Sequence, residues 1–186
     1  MPSPSPRSLL SSAAAALLLL LAGPASPVTP AAAHICLFHP AQRGLLVLDN
    51  PGEPACFRPK GPCGQPAASS HPPTQMLGVA GSSYTVHFQQ ALNHFNVTAP
   101  GVLRVQIALT GGAAPTESDF AQGAQFGQMI PDFNAMDMMK LTNLTVTGTL
   151  PQQSCQQCVM RVTYQSNNDM EPDMFYVSDH MHYALA

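Results

Sequence analysis

His34 stands where it could become the first residue of a mature chain. Ahead of it come Met1 to Arg7, an apolar run from about Leu9 to Ala22, and a Pro/Ala-rich tail ending in Ala31-Ala32-Ala33. A basic start, a short apolar run and small residues before the cut mark a secretory signal peptide. Pro24 and Pro27 discourage nearer cuts, and the Ala-x-Ala before His34 is the best small-residue match. Residues 1–33 therefore read as the signal peptide and residues 34–186 as a single secreted domain. Cleavage there would free an α-amine beside an imidazole, and the two nitrogens can close a chelate ring on one metal ion. No internal histidine can make that ring. With an unperturbed α-amine pKa of roughly 7.7–8.0, losing the proton costs little at neutral pH.

A second donor has to come from among the seven histidines. His94 lies in Gln89-Gln90-Ala91-Leu92-Asn93-His94-Phe95, just after the first clear strand, where a loop can carry it to the edge of a sheet. His87, on the polar face of that strand, is the competing choice. His180-Met181-His182 places two imidazoles on one face of a strand, but at the end of the chain, where fraying is expected. His39 could approach the metal of His34, although His39-Pro40 reads better as a turn. Met136, Met138 and Met139 invite a Cu(I) reading, since thioethers select that ion. They stand in an Asp-rich, loop-like stretch without an ordered pattern, and methionine is a common core filler.

Composition narrows the partners. Lys and Arg number 7 against 10 Asp and Glu, and no basic stripe runs along the chain, which argues against nucleic acid. The leading apolar run is short for a membrane span and no later stretch approaches it, so the product reads as a soluble monomer. Polarity comes from Asn, Gln, Ser and Thr, a surface suited to neutral partners such as sugars. The 5 cysteines, Cys36, Cys56, Cys63, Cys155 and Cys158, should form two disulfides and leave one thiol in an oxidising compartment. Cys155-Gln156-Gln157-Cys158 reads as structural, because no second Cys-x-x-Cys exists to complete a zinc site. Asn96-Val97-Thr98 and Asn143-Leu144-Thr145 are glycosylation sequons, in keeping with secretion.

The elements that must position these residues are strands. From Leu45 to Ala80 the density of Pro, Gly and Ser stops helices and central strands, giving a cysteine-stapled surface loop that loosens at Ser69–Thr74. Tyr84, Val86 and Phe88 then alternate with Thr85, His87 and Gln89. Leu103 to Leu109, Leu144 to Thr147 and Cys158 to Gln165 alternate in the same way, with Gly, Pro and Asn between the runs. No helical period is sustained. These patterns predict an all-β, immunoglobulin/fibronectin-III-like antiparallel sandwich with long Pro/Gly-rich, disulfide-stapled loops.

Several short motifs, in order, resemble one family. His34-Ile35-Cys36-Leu37-Phe38-His39-Pro40-Ala41-Gln42-Arg43-Gly44 resembles the mature start of lytic polysaccharide monooxygenases (chitin-binding type-4 domains) and their copper-binding relatives. Cys56 to Gly64 resembles the family's Cys and Cys-Gly loop, and Val86 to His94 the strand that delivers its second histidine. Cys155 to Tyr164 resembles its late Cys-x-x-Cys strand, and Phe175-Tyr176-Val177-Ser178-Asp179 its closing Phe-Tyr-x-Cys-x-Asp segment. The resemblance implies one copper ion held by the amine and ring of His34 and the ring of His94, with Phe175, then Tyr176, as axial neighbour. It also implies oxidative attack on chitin or a cellulose-like polysaccharide, and a bridge from Cys63 to a late cysteine.

The chain departs from the pattern at Ser178, where the family has cysteine, and is one residue shorter before Asp179. That change would leave one cysteine without its usual partner. With 0 Trp and 4 Tyr, an aromatic platform for crystalline polysaccharide is hard to assemble. Relatives that only bind or acquire copper complete the site with a carboxylate, for which Asp132, Asp137, Asp173 and Asp179 are candidates. A glycan-binding module with incidental histidines is the third reading. N-terminal sequencing of the secreted protein is expected to return His-Ile-Cys-Leu-Phe; a start on either side of His34 removes the amine ligand.

Overall fold

The computed structural model describes residues 34–64, 78–111, 113–128, 130–131, 140–167, 169 and 172–185. The leader, the Ser69–Thr74 stretch, Met136, Met138, Met139, Asp132 and Asp137 lie outside the described residues. Nine strands are described: β1 (His34–His39), β2 (Gly78–Val79), β3 (Ser83–Leu92), β4 (Val102–Leu109), β5 (Ala124–Gln125), β6 (Ile130–Pro131), β7 (Thr142–Thr149), β8 (Cys155–Gln165) and β9 (Met174–Ala184). They form two sheets, one ordered β1-β3-β7 and one ordered β2-β9-β8-β4-β5, with β6 also pairing β4. Every pairing is antiparallel except the short β2–β9 contact. The expected all-β sandwich is therefore what the chain forms. Among the described residues no helix is long and apolar enough to cross a membrane.

The core follows from side-chain alternation, since successive strand residues point to opposite faces. Val86 and Phe88 of β3, Leu103, Val105 and Ile107 of β4, and Met160, Val162 and Tyr164 of β8 meet between the sheets, all buried. Each such side chain contributes about 1.5–3 kcal/mol through burial. β9 adds Phe175, Val177, Met181 and Tyr183 to that layer. It runs to Ala184, so His180-Met181-His182 belongs to a paired strand and not to a frayed end. Among the described residues the one α-helix, α1 (Glu117–Gln122), starts at a capping box between Thr116 and Asp119 and lays Phe120 against the outer face of the larger sheet. Gly101 opens β4 where a Cβ would run into the carbonyl oxygen of Gln165, so only glycine allows that approach.

Two disulfides form, Cys36–Cys56 and Cys155–Cys158, and Cys63 stays a buried thiol. The expected count holds, but the pairing of Cys63 with a late cysteine does not. Its facing position on β9 is Ser178, whose Oγ donates to the Cys63 carbonyl at 2.9 Å and accepts from Arg43 Nη2 at 2.9 Å. Burial pushes the Cys63 thiol up, partly offset by Arg43 and by its hydrogen bond with Ser178. Ser178→Cys is accordingly expected to close a third bridge with Cys63, lowering the thiol titre of the denatured protein from one to zero and giving a Cys63-linked peptide in non-reducing mapping.

Candidate metal centre

His34 opens β1, and the β1–β3 register sets it opposite Leu92, the last residue of β3. His94 follows Leu92 by two residues, past the end of β3, so both histidines lie toward the same end of the smaller sheet. The register shifts between His34 and Ile35, where Ile35 pairs with Gln90. Both histidines are buried, His34 to 6% and His94 to 3% exposure. Nearby Gln90 is 2% exposed, and its amide nitrogen has no hydrogen-bond partner among the described residues.

An aromatic chain links the two histidines. The His34 ring lies 5.4 Å from that of Phe57, Phe57 lies 5.8 Å from Phe175, and Phe175 lies 6.1 Å from Tyr164. Tyr164 and Phe175 face each other directly across β8 and β9. From the other side, His94 donates its backbone N–H to Tyr164 Oη at 3.1 Å. Phe57 had no role in the sequence reading, and Tyr164 figured only as a strand residue. The Cys36–Cys56 bridge explains Phe57: it pins the neighbour of Phe57 to the residue two after His34.

The remaining candidates sort by position. Alternation along β9 turns Tyr176 away from Phe175, onto the face where Arg161 lies 5.5 Å from its ring. Arg161 also pairs with Glu117 at 2.8 Å and covers Phe120 at 3.8 Å. Burial, then Glu117, pushes the Tyr176 hydroxyl up. Asp179 is four residues beyond Phe175, about 13 Å along the strand, and its charge acts on Tyr84. That is the end away from His34. Asp173 is exposed, just before β9, and its carbonyl accepts from Ser166 at the His94 end. His87 and His39 pair with each other at the far end of β1, roughly 17 Å from His34. His180 faces outward near Arg43, and burial followed by that cation lowers its pKa.

Among the described residues no group of three or more His, Cys, Asp or Glu could hold a metal. His34 and His94 offer two imidazoles, a donor set that suits Cu(II), Zn(II) or Ni(II). A third nitrogen would have to be the α-amine of His34, which exists only when the chain is cut before it. With that amine, the donor set would suit a copper ion held by nitrogen alone.

No family model matches this chain, and no curated protein does. Among solved structures it is similar to an AA10 lytic polysaccharide monooxygenase from Streptomyces lividans, at TM-score 0.47 and 16% identity over 80% of this chain and 99% of that one. Removing the Tyr164 hydroxyl leaves the buried His94 N–H without that acceptor, which costs about 1–3 kcal/mol. Tyr164→Phe is expected to lower stability by that amount in urea unfolding while leaving the fold intact by circular dichroism.

Proposed function

We propose that the chain, cut before His34, is a secreted mononuclear copper protein whose ion is held by the amine and ring of His34 and the ring of His94. What supports this is that His34 lies opposite Leu92 and His94 follows it by two residues, both histidines buried and each in contact with one aromatic chain; the proposed cut would supply the third donor. The resemblance in motifs adds the chemistry: in that family, reduced copper activates oxygen or peroxide for hydrogen abstraction from a polysaccharide. The chain's own residues orient the rings. Cys36–Cys56 holds Phe57 on His34, and Tyr164 holds the backbone of His94. Phe175, fully buried between Phe57 and Tyr164, would pack near the ion and offers no ligand atom. The proposed reaction is oxidative cleavage of chitin or a related polysaccharide.

A second reading, copper capture without attack on polysaccharide, is favoured by the burial of both rings, at 6% and 3% exposure. The two readings separate in one assay, the secreted protein with copper, a reductant and chitin. New oxidised oligosaccharides are the outcome expected for the enzyme; tight copper binding without products assigns capture. His34→Ala and His94→Ala are each expected to weaken copper binding at least a hundredfold, and unchanged affinity in either would overturn both readings.

A further inference from the structure

The opposite end of β1 carries a second histidine pair. His39 and His87 are direct cross-strand partners on β1 and β3. Their ring centroids are 5.5 Å apart with the planes at 64°. Metal–nitrogen bonds of about 2.0–2.1 Å put the centroids of two imidazoles on one ion roughly 4.5–6.5 Å apart, depending on the angle at the metal. The observed separation falls inside that span. His39 is exposed and His87 half-buried, so water can reach both and complete the coordination.

A third residue fixes the geometry. Tyr84 stacks on His39 at 5.5 Å, and its Oη lies 3.0 Å from His39 Nε2. The metal-competent tautomer is the one in which Nε2–H donates to Tyr84 Oη, leaving the Nδ1 lone pair for the ion; such an outer partner is the usual way a ligating histidine is oriented. The charge of Asp179 acts on Tyr84 at this end. The rival pair on β9 lacks these features, because His180 shares its surroundings with the Arg43 cation.

We infer that His39 and His87 form a second metal site, taking one divalent transition ion of the zinc, nickel and copper(II) class through two imidazoles and water, with Tyr84 as the positioning residue. The site is independent of His34 and His94. The test is a Ni(II) titration of the secreted protein carrying His34→Ala, which keeps the other centre out of the measurement. One equivalent of Ni(II) is expected to bind. Adding His39→Ala, at an exposed position, or His87→Ala should weaken that binding at least tenfold; His182→Ala should leave it unchanged. Tyr84→Phe should keep the stoichiometry and weaken affinity about tenfold, the scale of an outer-partner loss. Ni(II) binding that survives both His39→Ala and His87→Ala, or that His182→Ala abolishes, overturns the site, and full affinity in Tyr84→Phe overturns the role given to Tyr84.

Discussion

The Cys36–Cys56 bridge is the constraint on which the His34 end of the molecule depends. It joins residues 20 apart in sequence, and closing a loop of that length stabilises the fold by about 3 kcal/mol through the unfolded chain. Its structural effect is more specific. The loop that follows β1 packs Leu46 and Leu48 against the buried cluster of Cys36, Cys56 and Ala91. The bridge holds it there, and a buried network completes the seal. Gln42 accepts from Leu37 and donates to Leu45, while Arg58 donates to the carbonyls of Arg43 and Ala55. Glu53, though buried, has its carboxylate oxygens engaged by Asn50 and Ala55, which makes it a loop brace and not a spare ligand. Phe57 leaves this network pointed at His34.

The larger sheet supplies the other wall. β8 and β9 are long and directly paired, so Tyr164 and Phe175 sit in register and present one surface beneath both histidines. Alternation then divides β9 cleanly. Phe175, Val177 and Asp179 belong to the inner series; Tyr176, Ser178 and His180 meet the loop from Arg58 to Gly64 outside. That outer layer is polar and cationic, with Arg43, Arg58 and Arg161 all buried in it and bonded to carbonyls or to Glu117. A loop carrying buried guanidinium groups needs acceptors, and its own backbone carbonyls provide most of them.

The strands that alternate strictly could be read from the chain, because one face is buried and the other is not. β1 could not. Ile35 and Leu37 enter the core, but Cys36 is buried too, under the loop it is bonded to, so no polar face breaks the pattern. The histidine pair at the candidate site was accessible to sequence reading, since a cleavage pattern marked one and a strand end the other. Phe57 was not, because its position is set by a long-range bridge and no local signal carries it. The reading of Cys63 failed for a related reason. The resemblance implied a late cysteine as partner; here Ser178 donates to the Cys63 carbonyl and Cys63 remains a thiol. Among the carboxylates, position along β9 separated Asp179 from His34 by a distance that residue type could not reveal.

The two histidine pairs on β1 begin from the same chemistry, two imidazoles at the end of a short strand, and the proposed cut before His34 distinguishes them. While Ala33 is attached, the nitrogen of His34 is an amide and each pair offers only two donors. Cleavage adds a third nitrogen to one pair, on the same residue and already in chelating position, and adds nothing to His39 and His87. The Irving–Williams order then favours copper(II) at the three-nitrogen site over every other divalent first-row ion. The exposed pair, with two imidazoles and water, discriminates less and binds more weakly. The proposed cut would thus rank the two proposed sites, with the length of β1 keeping them too far apart to share an ion.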